Sequence, residues 1–455
     1  MRIVQVIHGF PPYNAAGSEL YTYNLSRELS KKEEIYVFYR IADPKRDEYE
    51  MRFENYNGIK VCNINNTFRY CESFEKAYNN DIISKKFGLF LDQVKPDIIH
   101  FGHLTCLSTS LVEEGKKRKI PIVFTLHDFW LLCQYGQLLK NDLSICCRPV
   151  NSECVRCLEP KLSIRGNIRK VFGILKRKIP EFENRASLGK ILVTIFRQFA
   201  KASLLDNDSK ARVKKRMSHV NEMCSLVDIF ISPSKFLLEK FVAYGIPRDK
   251  IRYHDYGFNT DRFKDFSKVK SQKLRFGYIG TFIPSKGVHV LLKAFSSIQS
   301  ENVELRLHGK SAPYHPGFED YPDYLRSLGK KSNILWFGEY NNEDIAEILS
   351  EIDVIIVPSI WYENSPLTIH EAFIARIPVI TSNIGGMAEL VQHQENGLLF
   401  RLGDSKDLAK KMEMILHNPL LVKKLSNNIK PVISIENHAL EISRIYRDLI
   451  SNTVN

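Results

Sequence analysis

The sequence predicts an α/β protein of two Rossmann-like, doubly wound parallel-sheet domains facing a central cleft, and three observations lead there. Short Val- and Ile-rich runs alternate with helical patterns, the signature of βαβ units and buried parallel strands. The pattern starts afresh at Leu274, after a polar stretch at 264–273. And 455 residues exceed one ordinary core, for which roughly 100 to 200 residues is usual.

In chain order, Arg2–Ile7 reads as a first strand, followed after a loop containing Gly9 by a helix over 18–32. Further strands of the first half are expected at 35–39, 97–100, 121–125 and 227–231. Residues 255–259 and 264–273 have linker composition. In the second half Leu274–Ile279 reads as a strand, 280–287 as a loop and Val288–Ser297 as a helix. Strands at 304–308, 334–337, 353–357 and 379–381 complete that sheet, with helices starting near Ser365 and Gly386. The expected domains are 1–255, 256–435 and a C-terminal helix within 436–455 that crosses back to the first domain.

Hydrophobic residues at 44% and charged residues at 26% exclude collagen-like and disordered classes. The net charge of +13 is local: residues 161–216 hold 16 Lys and Arg against 4 Asp and Glu, leaving the rest nearly neutral. Ile164, Ile168, Val171, Phe172, Ile191, Ile195 and Phe199 interleave with those charges. The segment therefore reads as a basic amphipathic insertion, at about 160–220, suited to an anionic membrane surface. Nucleic acid is not expected, because no recognition motif accompanies the charge. The first apolar run is too short for a signal peptide or a span, and nowhere do about 18 apolar residues run uninterrupted. With nine cysteines and no secretory signal, the expectation is a reducing, cytoplasmic setting, peripheral to the membrane.

Five of those cysteines, Cys133, Cys146, Cys147, Cys154 and Cys157, fall within 25 residues. Cys154 and Cys157 have the two-residue gap of a zinc knuckle. A structural zinc on Cys133, Cys147, Cys154 and Cys157 is one expectation, ordinary reduced thiols the other.

The richest segment is 357–371. A strand ends there and a helix begins, with Ser365 suited to the N-cap and Pro366 to the first helical position. The free N–H groups and positive dipole end of such a helix suit a phosphate or diphosphate. Glu363 precedes the helix. Glu371 lies five residues beyond Pro366, about 7.5 Å along the axis. Two acceptor carboxylates flanking an anion site match a nucleotide sugar, which carries hydroxyl-bearing rings on both sides of its pyrophosphate.

Glu363 and Glu371 resemble the E-x7-E element of the family 4 glycosyltransferases, which have the two-domain GT-B fold. The loop from Gly280 through Lys286 to Gly287 is similar to that family's phosphate loop, and Gly385, Gly386 and 395–400 to its closing segments. The resemblance covers roughly 1–40, 95–135 and 225–415. It implies Glu371 on the ribose hydroxyls, Glu363 on a hydroxyl of the transferred sugar and Lys286 on the diphosphate. Gly280, Ser365, Pro366 and Leu367 would complete the donor cradle. Gly17, at the first helix, would approach the diphosphate from the other domain, where only glycine allows so close a backbone. His127 would stand beside the sugar and acceptor, whereas His100 and His103 read as structural. Gly385 and Gly386 fit either a tight turn or a position near the phosphate.

The implied activity is retaining, metal-independent transfer from a UDP- or GDP-sugar to a glycan or lipid-linked glycan held by the first domain. No cofactor is required for catalysis, and the donor phosphate helps to deprotonate the acceptor. Thr281 departs from the family pattern, which often has arginine there, leaving Lys286 or Lys310 to supply the charge. Two other readings are a nucleotide-sugar epimerase or phosphorylase-like enzyme on the same fold, and a non-catalytic nucleotide-sugar-binding partner.

Overall fold

A computed structural model describes residues 1–147, 151–162, 207–314 and 317–454. The heart of the basic insertion expected at 160–220 lies outside the described residues; its flanks are the helices Asn151–Leu162 and Asn207–Leu226.

The first sheet has eight strands: β1 (Arg2–Ile7), β2 (Glu34–Ile41), β3 (Met51–Tyr56), β4 (Ile59–Asn65), β5 (Ile98–Phe101), β6 (Ile122–Thr125), β7 (Ile229–Ser232) and β8 (Ile251–Tyr253). They lie in the order β3-β4-β2-β1-β5-β6-β7-β8, all parallel except β3. The second has six: β9 (Leu274–Ile279), β10 (Val303–His308), β11 (Ile334–Gly338), β12 (Val354–Val357), β13 (Val379–Ser382) and β14 (Gly397–Phe400). Their order is β11-β10-β9-β12-β13-β14, parallel throughout. The molecule has the GT-B architecture. Both sheets are buried on both faces, which explains the unbroken apolar runs. Val4 and Val6 of β1 join the cluster with Phe38, Phe87 and Phe129, while Ile3 and Ile7 join the one with Leu25, Ile442 and Tyr446.

Four strands escape the sequence pattern: β3, β4, β8 and β14. The edge strand β3 carries Arg52, Glu54 and Asn55 and is largely exposed. β4 buries Asn63 and Asn65, which hydropathy reads as loop residues. Their side-chain oxygens are paired: Arg46 Nη1 donates to Asn63 Oδ1 at 2.7 Å, and the backbone N–H of Asp43 to Asn65 Oδ1 at 2.9 Å, whereas Asn63 Nδ2 is buried without a partner among the described residues. β8 is only three residues long.

The chain crosses between the domains twice, and the crossings lie side by side. Phe258 N donates to Ile433 O and Ile435 N to Phe258 O, each at 2.9 Å. The last helix, Ile435–Val454, lies on the first domain, where Tyr446 meets Gln5 and His100 and His438 Nε2 stands 2.9 Å from Tyr21 Oη. Gly257 sits at this junction because a Cβ there would stand 2.3 Å from His438 Cβ and 3.0 Å from Ile435 Cα. Gly257→Ala is expected to destabilise the protein by about 1–3 kcal/mol, the usual cost of overpacking. Hydrogen exchange should accelerate first in the helix Ile435–Val454.

Candidate donor site

Between the carboxyl ends of the two sheets lies a cleft of about 770 Å³, lined from both domains, where ligands of open parallel sheets bind. Gly17, His127, Gly280, Lys286, Glu363, Ser365, Pro366, Leu367 and Glu371 all line it.

On the second domain's wall, β12 ends at Val357 and the chain turns through Ser359 and Trp361 to the helix Leu367–Ile374. Glu363 is buried, with 6% of its surface exposed. Its Oε1 accepts from Lys286 Nζ and Ser359 Oγ at 2.7 Å and from Trp361 Nε1 at 2.9 Å. Lys286, on the loop after β9, lies 5.7 Å from the centre of the Trp361 ring. The two residues given separate tasks by the sequence therefore form one ion pair. Glu363 Oε2 has no hydrogen-bond partner among the described residues.

The helix start differs from the sequence reading. Pro366 is the N-cap and Ser365 does not cap; Ser365 Oγ instead donates to Asp255 Oδ1 at 2.8 Å and meets His370 Nε2 at 2.7 Å. The uncapped N–H groups of Leu367–Ile374 thus stay available at the cleft. One turn in, Glu371 is partly buried without an ion pair among the described residues, and burial pushes its carboxyl up to about 7 against the opposing pull of Arg262.

Gly385 and Gly386 are not cleft residues in this structure. A Cβ on Gly386 would stand 1.4 Å from Asn364 O, and Gly386 N donates to Glu363 O at 2.9 Å. The pair supports the Glu363–Asn364 peptide from behind. Gly17 starts the first helix, Gly17–Leu29. A Cβ there would meet only Leu367, at an ordinary 3.5 Å, so nothing in this state demands glycine. Lys310 lines the same cleft, ion-paired with Glu339.

The first domain contributes His127, just after β6. Its Nδ1 lies 2.7 Å from Tyr256 Oη, while Nε2 is buried without a partner. Burial first, then neighbouring His103, push its pKa down to about 3, so the ring is neutral at physiological pH. His103 Nε2 lies 3.2 Å from Asp128 Oδ2. Burial alone would raise Glu19, but its hydrogen bond and ion pair with His8 and the Ser18 hydroxyl outweigh it and hold the carboxylate at about 2.

Sequence reasoning passed over Asn364, which joins the two walls. Its Oδ1 accepts from Ser234 Oγ at 2.5 Å, and its Nδ2 donates to Leu126 O at 3.1 Å. Its place between Glu363 and Ser365 was the available signal.

Of the cysteines expected to hold zinc, Cys133, Cys154 and Cys157 line one small cavity, while Cys147 is exposed and Cys146 takes its place. The reason is local: Leu139 and Ile145 pair across a hairpin that Cys146 N closes onto Leu138 O at 2.8 Å, and successive side chains then face opposite ways. Among the described residues no group of three or more Cys, His, Asp or Glu side chains is assembled as a metal site, and no helix is long and apolar enough to cross a membrane.

Residues 15–179 match the family model for Glycosyltransferase Family 4, and 259–431 match that for Glycosyl transferases group 1. The chain belongs to glycosyltransferase family 4. A glycosyltransferase of Methanocaldococcus jannaschii is 24% identical over 54% of this chain and 65% of its own length. A 42.6 kDa protein of the Klebsiella pneumoniae cps region is 21% identical over 90% and 91%. The capsular polysaccharide biosynthesis glycosyltransferase CapM of Staphylococcus aureus is 24% identical over 39% and 46%. Two of these matches thus span less than two thirds of the relative's length. Among solved structures, a sucrose-phosphate synthase of Thermosynechococcus elongatus superposes with a TM-score of 0.67 at 18% identity, covering 99% of both chains. Anabaena HepE in complex with UDP and glucose gives 0.62 at 15%, covering 98% of this chain and 99% of its own. These likenesses fix the fold of this family 4 member, and within it the cleft carries Glu363 and Glu371 on one wall.

Proposed function

We propose that the protein is a retaining glycosyltransferase that moves a sugar from a UDP- or GDP-sugar to a hydroxyl of a glycan or lipid-linked glycan, in cell-surface polysaccharide synthesis. The observation that carries this is the Lys286–Glu363 pair standing beside an uncapped helix start, with Glu371 one turn further in. A diphosphate entering at the helix N-terminus competes with Glu363 for Lys286. Lys286 then neutralises the leaving nucleotide. Glu363 stays held by Ser359 and Trp361 and offers Oε2 to a sugar hydroxyl, while Glu371 accepts from the ribose.

A general base works best with a pKa near the working pH, and His127, at about 3, is far from it. Its neutral ring is suited to hydrogen bonding through Nε2. That supports deprotonation of the acceptor by the donor phosphate itself, the route of retaining transfer. The UDP bound to HepE supports a UDP-sugar donor, and the capsular polysaccharide biosynthesis in the name of CapM supports a role in polysaccharide synthesis. The basic segment around 161–216 supports a position on the cytoplasmic face of an anionic membrane.

The test is the anomeric configuration of the product, read by proton NMR after incubation with UDP- and GDP-sugars and glycan acceptors. Retention is expected; a product of inverted configuration would contradict the mechanism.

A further inference from the structure

We propose that Cys133, Cys146, Cys154 and Cys157 bind one zinc ion as a tetrathiolate centre, with the buried Arg216 as its counter-cation. The centre fastens the hairpin at 137–146 to the helices beneath it. Cys154 and Cys157, three apart on the helix Asn151–Leu162, share a face. Cys133 lies in a tight turn, its N–H donating to Phe129 O at 2.7 Å and its O accepting from Gly136 N at 2.8 Å. Cys146 closes the hairpin. The segments are already tied together, since Tyr135 Oη and Asn141 Nδ2 both donate to Cys157 O, at 3.0 and 3.2 Å.

All four thiols line one cavity of about 40 Å³, walled by Leu132, Leu139, Leu158 and Val213. That space admits an ion. The sulfurs are not drawn to a point in this structure; zinc would bring each to about 2.3 Å from itself.

Arg216 decides between a metal and paired thiols. It lines the same cavity with 3% of its surface exposed. Its Nη2 donates to Trp130 O at 2.6 Å, and its guanidinium lies 5.2 Å and 5.8 Å from the centres of the Trp130 and Tyr78 rings. No carboxylate pairs with it among the described residues, and its Nε is buried without a partner. A buried cation without an anion is costly. Neutral thiols or disulfides give it none. Zinc binding by four thiols releases four protons and leaves a centre of net charge minus two, of which Arg216 offsets one.

The centre would fix one wall of the cleft. Gln137 Oε1, on the hairpin, accepts from Tyr314 Oη of the second domain at 2.9 Å, and Leu143 packs against that domain's core.

The test is zinc content by mass spectrometry of full-length protein washed with a chelator. About one equivalent per chain is expected in the wild type and in Cys147→Ser, with less than about a tenth left in Cys146→Ser and Cys154→Ser. Zinc-free wild type from zinc-supplemented cells would overturn the proposal, as would loss of zinc in Cys147→Ser with retention in Cys146→Ser. Should the variants fail to fold, cobalt(II) added to metal-stripped wild type should give an intense near-ultraviolet thiolate charge-transfer band that zinc abolishes. Absence of that band would overturn it equally.

Discussion

Glu363→Gln is expected to lower the rate of sugar transfer by about 10²- to 10³-fold, the range seen on losing one preorganised electrostatic contact. Glutamine keeps the shape of the side chain, and its Oε1 can still accept from Lys286, Ser359 and Trp361 as the carboxylate does. What changes is the outer atom: an acceptor oxygen becomes an NH2 donor. A sugar hydroxyl that donates there, more strongly as charge develops in the transition state, loses its partner. The loss should fall on kcat more than on the donor KM. UDP lacks the sugar, and the neutral amide holds Lys286 less strongly than the carboxylate does, so UDP affinity should be unchanged or tighter. Steady-state kinetics and UDP calorimetry on one preparation check both. Equal loss of UDP binding and turnover would mean that Glu363 only props up the loop.

Glu371→Gln is expected to stabilise the unliganded protein above neutral pH while weakening donor binding. The Glu371 carboxyl rises from 4.5 to about 7 on folding because of burial. A carboxyl raised on folding binds more protons in the native state than in the unfolded chain between those values. Stability is therefore fully present below about 4.5 and lost as the pH rises through 7, by about 3 kcal/mol in all. Glutamine cannot ionise, so the variant should melt higher than wild type at pH 8.5 and close to it at pH 5, in calorimetric scans. Ribose hydroxyls relieve the buried carboxylate by donating to it, with charged hydrogen bonds of about 1.5–3 kcal/mol each. The variant should bind UDP about 10- to 100-fold more weakly at pH 8. Wild-type binding should release a proton when titrated below pH 7.

The parallel strands were legible because burial on both faces makes them nearly continuous apolar runs, as in Val354–Val357 and Val379–Ser382. The segment from Glu363 to Glu371 was legible as a helix start because the break at Pro366 lies three residues after Glu363 and five before Glu371. What escaped was tertiary. Ser365 looks like a cap in isolation, yet Asp255 and His370, 110 and five residues away, claim its hydroxyl. Asn364 acts by reaching Leu126 and Ser234 in the other domain. Gly386 is required by a carbonyl 22 positions earlier in the chain, which no local pattern announces. The polar strand β4 reads as loop until Arg46 and Asp43 are seen to donate to the side-chain oxygens of its asparagines.

The central claim is that Lys286 and Glu371 hold one nucleotide sugar across the start of the helix Leu367–Ile374. Thermal unfolding of wild type, Lys286→Ala and Glu371→Gln with UDP-, GDP- and ADP-sugars tests it most directly. One donor class should stabilise the wild type by about 2.7 kcal/mol at 100 times its dissociation constant, and both variants should lose most of that shift at the same concentration. A flat wild-type response to all three classes, or an equal shift in all three proteins, would contradict it.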